Sequence, residues 1–126
     1  MTHPRPKIIG LVLLLPLLFG VGCDQSSAPP TAMAVEELPA VFAKAFSQAK
    51  PEAKELANQI VASVQAKDYS KSYLDLQSLL GRPDLTKQQV SVTSSALLTV
   101  NALLQAAQAQ GDAKAAETIK IYRDTK

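Results

Sequence analysis

Residues 86–111 read TKQQVSVTSSALLTVNALLQAAQAQG, and this stretch decides the fold class. Thr86 and Gln89 stand at the spacing of a capping box, in which each side chain satisfies the other's backbone at a helix start. Behind them Val90, Thr93, Leu97, Val100, Leu104 and Ala107 step by three and four, so they share one face of an α-helix. Val92, Ala96, Leu98 and Leu103 widen the stripe, which predicts contact on several sides and a central place in the domain. Leu97 and Leu104 occupy its middle, whereas Gln105 and Gln108 lie off it. Gly111-Asp112 supplies a stop and a new cap. The spacing predicts a helix over about Lys87–Gln110, the longest in the chain.

The same period runs outward in both directions. Downstream, Ala116, Ile119 and Tyr122 predict a last helix over about Ala113–Arg123. Upstream, Leu38, Val41, Phe42, Ala45 and Phe46 form a helical face, with Pro39 in the first turn where proline is tolerated. Pro51 opens a second helix with Leu56, Ile60 and Val64 on its face and Ala53 and Ala57 as small neighbours. Lys67-Asp68 is a turn, and Asp68 caps a third helix carrying Tyr69, Tyr73, Leu76, Leu79 and Leu80. Gly81-Arg82-Pro83 ends it. No alternating, β-branched pattern competes. The expected fold is all-α: four or five short antiparallel helices, as a helical bundle or as stacked αα-hairpins.

Laying Lys67-Asp68 over Gly111-Asp112 brings Leu56 and Val100, Ile60 and Leu104, Ser72 and Ala116 into step at a period of 44 residues. In residues 52–124 this pattern resembles tetratricopeptide-type helix-turn-helix repeats. Ser72 and Ala116 suit the small position of the second helix in that family. Ile60 and Leu104 stand where its first helix carries a small residue, and the period exceeds the family's roughly 34 residues. The resemblance implies a protein-binding module.

The N-terminal segment has a different character. Arg5 and Lys7 precede an uninterrupted apolar, Gly and Pro run from Ile8 to Val21, 14 residues long. A membrane-spanning helix needs about 20 residues, so the pattern predicts a secretory signal peptide over residues 1–22. Gly20-Val21-Gly22-Cys23 resembles the bacterial lipobox, with Gly20 where leucine is usual. The resemblance implies diacylglyceryl attachment at Cys23 and cleavage before it. Ser26-Ser27-Ala28 and Ala32-Met33-Ala34 suit a general signal peptidase less well, because Pro29 follows the first and the second lies far from the apolar run. Cys23 is the only cysteine, so no internal disulfide is possible, and a thiol left over in an oxidising compartment is a liability that acylation removes. Residues 24–35 are small, polar and proline-containing, so 23–35 read as a lipidated cysteine with a flexible tether and 36–126 as the helical domain. Asp24 resembles the inner-membrane retention residue of enteric bacteria.

Charge and composition exclude several function classes. On this processing, 11 Lys and Arg balance 11 Asp and Glu, so no basic field favours nucleic acid. The one histidine, His3, leaves with the signal peptide, and with it the commonest general base and metal ligand. No glycine-rich loop, HExxH or CxxC is present. No catalytic, metal or cofactor site is expected. Tyr69 and Tyr73, four apart on one face, are the candidate binding residues, able to stack on a peptide or sugar or to serve as core-edge aromatics. Ser91, Ser94, Ser95 and Thr99 give the long helix a hydroxyl-rich side, and Asn101 stands between apolar neighbours. The expectation is a non-catalytic envelope lipoprotein, held by lipid on the inner or outer bacterial membrane and facing the periplasm or exterior, with a protein partner. The alternatives are a structural, self-associating lipoprotein or a periplasmic or secreted protein without lipid.

Overall fold

Helix starts in this chain are set by local chemistry, and the computed structural model, which describes residues 29–126, places them accordingly. Five helices follow in order: α1 Leu38–Ala45, α2 Pro51–Gln65, α3 Tyr69–Leu80, α4 Lys87–Ala109 and α5 Ala113–Asp124. No strand occurs among the described residues. The expected signal peptide, residues 1–22, and Cys23 lie outside them. Pro39 and Pro51 sit in the first turns of α1 and α2, where the missing N–H has no helical acceptor to lose. Asp68 accepts from Lys71 N at 3.1 Å, and Asp112 from Ala115 N at 3.1 Å. The Lys71 N–H, followed by Lys114, holds the Asp68 carboxyl below the ordinary carboxylate range. Its contribution to stability is therefore present at neutral pH and lost as pH falls through that lowered value. Thr86 and Gln89 form the expected capping box, with bonds of 3.1 and 2.9 Å.

The turns α2–α3 and α4–α5 are built alike, 44 residues apart. Lys67 (φ 59°) and Gly111 (φ 91°) are both left-handed. The next amide, Asp68 N or Asp112 N, donates back to Ser63 O at 2.9 Å or Ala107 O at 3.1 Å. Lys67 N and Gly111 N each donate to a carbonyl three residues back, completing a Schellman ending followed by an aspartate cap. Lys114 Nζ, at 3.1 Å from both carboxylate oxygens of Asp68, ties the two turns together. Glycine suits the left-handed conformation, and a side chain there costs about 1 kcal/mol. Lys67→Gly should therefore raise stability by about 0.5–1 kcal/mol, and Gly111→Ala should lower it by about 1 kcal/mol although open space surrounds the new methyl. Thermal melts that move the other way would show that these turns rearrange.

Consecutive helices pack on each other; α1 also lies against α4, and α5 against α3. The core runs through Leu38, Phe42, Phe46, Ile60, Leu76, Leu79, Val100 and Leu104. Phe42 and Phe46 stack at 5.4 Å between centroids. Alanines and serines fill the close helix contacts: Ala53, Ala57, Ala96, Ala115, Ser63 and Ser72 are buried. The Ser63 and Ser72 hydroxyls meet at 2.9 Å across α2 and α3, and each also reaches a carbonyl of its own helix. On α2, Leu56 is only half-buried.

The buried face of α4 keeps Thr93, Ala96, Val100 and Leu104 of the predicted stripe but is rotated away from Val90, Leu97 and Leu98. Gln89, Thr93, Ala96, Thr99, Val100 and Leu104 are buried, while Val90 is 40% and Leu98 41% exposed and Leu97 is half-buried. Hydroxyls made this rotation possible. Thr93 Oγ1 donates to Gln89 O at 2.6 Å, so threonine enters the core with its polar group satisfied. α5 is rotated in the same way. Ala115 and Thr118 are its buried residues, with Ala116, Ile119 and Tyr122 half-buried. α4 shares its central place with α3, which also touches three helices. By length and composition α4 is long and apolar enough to cross a membrane, but here it packs on α1, α3 and α5 as a core helix.

Part of the stretch expected to be a flexible tether is docked on the helices. Met33 N donates to Thr99 Oγ1 at 3.0 Å, and that hydroxyl donates to Met33 O at 2.6 Å. Met33 and Val35 pack on the core. Packing on α4 therefore reaches back to Met33, where one α4 hydroxyl satisfies both backbone groups of a residue outside the helices.

Candidate functional site

Tyr73 and Tyr122 meet where α3, α4 and α5 converge. Helical spacing turns Tyr73 inward with Leu76, so it is only 4% exposed, and Tyr122 comes from the last turns of α5. The rings pack edge to face, 5.5 Å between centroids at 88°, a favoured aromatic geometry. Lys126 Nζ sits 4.4 Å from the centroid of the Tyr122 ring. Burial first, and Tyr122 second, push the Tyr73 hydroxyl up to about 12. Lys126 first, and Tyr73 after it, lower the Tyr122 hydroxyl from its ordinary value. The pair thus has one largely buried phenol and one half-buried phenol beside a cation.

Beside the pair opens a cleft of about 310 Å³. Leu104 and Ile119 give it apolar walls, Asn101 an amide, and Arg123 and Lys126 positive charge; no acidic side chain lines it. On the far side of Tyr122 lies a smaller groove between α3 and α5. Leu74 and Ile121 flank that groove, 51% and 54% exposed, the most exposed large apolar side chains among the described residues. Tyr73 and Tyr122 line both hollows.

The structure separates the two tyrosines named from sequence. Tyr73 joins the cleft as a buried member of an aromatic pair, not as an open stacking platform. Tyr69, half-buried, lines the crevice between the two aspartate-capped turns with Asp68, Asp112 and Lys114. Leu104 borders both this crevice and the cleft. Asn101 proves to be a cleft residue. The hydroxyl-rich side of α4 is divided: Ser91 is exposed, Ser94 and Ser95 are half-buried, and Thr99 is spent on Met33. Asp75 pairs with Lys71, and Glu55 accepts from Gln59. No group of three or more acidic, histidine or cysteine side chains is placed to hold a metal among the described residues. Tyr122, Arg123 and Lys126 were not singled out as a site in the sequence, which holds no local signal that 122 meets 73.

No family model, curated protein or solved structure matches this chain.

Proposed function

We propose that this chain is a non-catalytic envelope lipoprotein, anchored through Cys23, whose helical domain binds another protein. The observation that carries the binding reading is the exposed apolar groove between α3 and α5, where Leu74 and Ile121 flank an aromatic floor. Exposed apolar ground of this kind, rimmed by polar residues, is typical of a protein contact. The paired turns at a 44-residue spacing support a tetratricopeptide-like hairpin array, a class that presents such grooves. The anchor rests on the sequence: a positive start, a short apolar run and a lone cysteine at its end. The two or three acyl chains of a bacterial lipoprotein suffice for stable attachment, where one chain binds only marginally.

Two measurements test this. Metabolic labelling with a palmitate analogue should mark the wild type and leave Cys23→Ala unmarked; an unlabelled wild type sinks the anchor. A photo-crosslinking amino acid at position 74 or 121 should capture a defined protein in cells, and one at position 59, on the outer face of α2, should not. Equal capture at all three positions, or none at 74 and 121, removes the groove as a partner surface.

Self-association remains the second reading, and one observation favours it. No charged residue occurs from Gln88 to Gly111, and Val90 and Leu98 are exposed on that helix. Sedimentation of the full chain in detergent decides between a monomer and a symmetric dimer.

A further inference from the structure

Resting on the protein-binding reading, we infer that the Tyr73–Tyr122 cleft takes an acidic peptide segment, with an apolar side chain in the α3–α5 groove and a neighbouring carboxylate at Arg123 and Lys126. Three observations lead there. The cleft and the groove share Tyr73 and Tyr122, so an extended chain crossing Tyr122 touches both. The cleft carries two cations and neither hollow has an acidic lining residue, so its charge complements an anion. Arg123 and Lys126, like Lys44, Lys54, Lys67, Lys87 and Lys120, form no ion pair with an aspartate or glutamate among the described residues, and of these cations they are the two that line the cleft. An Arg guanidinium offers a planar fork matched to a carboxylate, and the Asn101 amide supplies a further donor beside it. A neutral apolar peptide would leave both cations unanswered.

The chain contains no tryptophan, which gives a clean readout. The probe is an acetylated, amidated tetrapeptide of one tryptophan, one leucine and two aspartates; its control replaces both aspartates by asparagine. Full-length protein in neutral detergent should raise the anisotropy of the aspartate peptide and shift its tryptophan emission to the blue. The asparagine peptide should bind at least about tenfold more weakly, the equivalent of one good charge-assisted contact. Arg123→Gln with Lys126→Gln should abolish the preference, and added salt should reduce it. Both positions are exposed, so the double variant should keep the wild-type melting curve. If the two peptides bind alike, or neither binds the wild type, the inference falls. Capture by crosslinkers at positions 74 and 121 would then still stand, and the protein-binding reading with it.

Discussion

Leu104→Ala is expected to cost about 3 kcal/mol, and Leu97→Ala about 1 kcal/mol, although the two leucines occupy equivalent places in the apolar period of α4. Leu104 is 1% exposed and borders both the aromatic cleft and the crevice between the turns. Its loss joins two hollows under α5 and removes contacts that neighbouring helices cannot readily replace. Leu97 is half-buried, so its truncation exposes little new surface. A domain of this size holds only about 5–15 kcal/mol in all. Leu104→Ala should therefore populate unfolded chains well below the wild-type melting temperature. Gln105→Ala and Gln108→Ala, at exposed positions, should change stability by less than about 0.5 kcal/mol. Equal melting temperatures for the Leu97 and Leu104 variants would show that α4 is not seated on the face described.

Gln89→Ala is expected to cost about 2 kcal/mol, a large loss for a polar residue in a first helical turn. The buried Gln89 side chain serves two elements at once. Its Oε1 accepts from Thr86 N at 2.9 Å, closing the capping box, while its Nε2 donates to Ala45 O at 3.1 Å. The second bond satisfies a carbonyl at the C-terminal end of α1, where no further turn of helix supplies a donor. Alanine removes both contacts. Gln89→Glu keeps the acceptor for Thr86 N but sets a carboxylate against the Ala45 carbonyl. It should therefore be as damaging at neutral pH and partly recover on acidification, when the protonated acid regains a donor. Hydrogen exchange should localise the damage: amides of Val41–Phe46 should lose protection in both variants. Unchanged protection there, with a wild-type melt, would mean that α1 is held by its phenylalanines alone.

Helix starts and stops were legible because their causes lie within a few residues. Pro51, Asp68, the Thr86–Gln89 pair and Gly111-Asp112 each act on their own backbone, and each marks a boundary in the structure. The matching of the two turns was legible for the same reason. The rotation of α4 was not. Periodicity included Thr93, but Thr99 and Gln89 enter the interior through hydrogen bonds whose partners lie on the same helix, on Met33 or on Ala45. The docking of Met33 is not legible in the sequence, because a polar, proline-containing stretch carries no mark of a hydroxyl 66 residues away.

By itself, then, the sequence determined an all-helical domain of four or five elements, their ends and their paired turns, since these follow from local capping and backbone preference. The tertiary structure alone decided which face of α4 and α5 is buried and which tyrosine meets which. It also decided that Asn101, Arg123 and Lys126 share a cleft with Tyr73. Those residues come from three helices and the tail that follows α5, and the packing of small side chains between the helices brings them together.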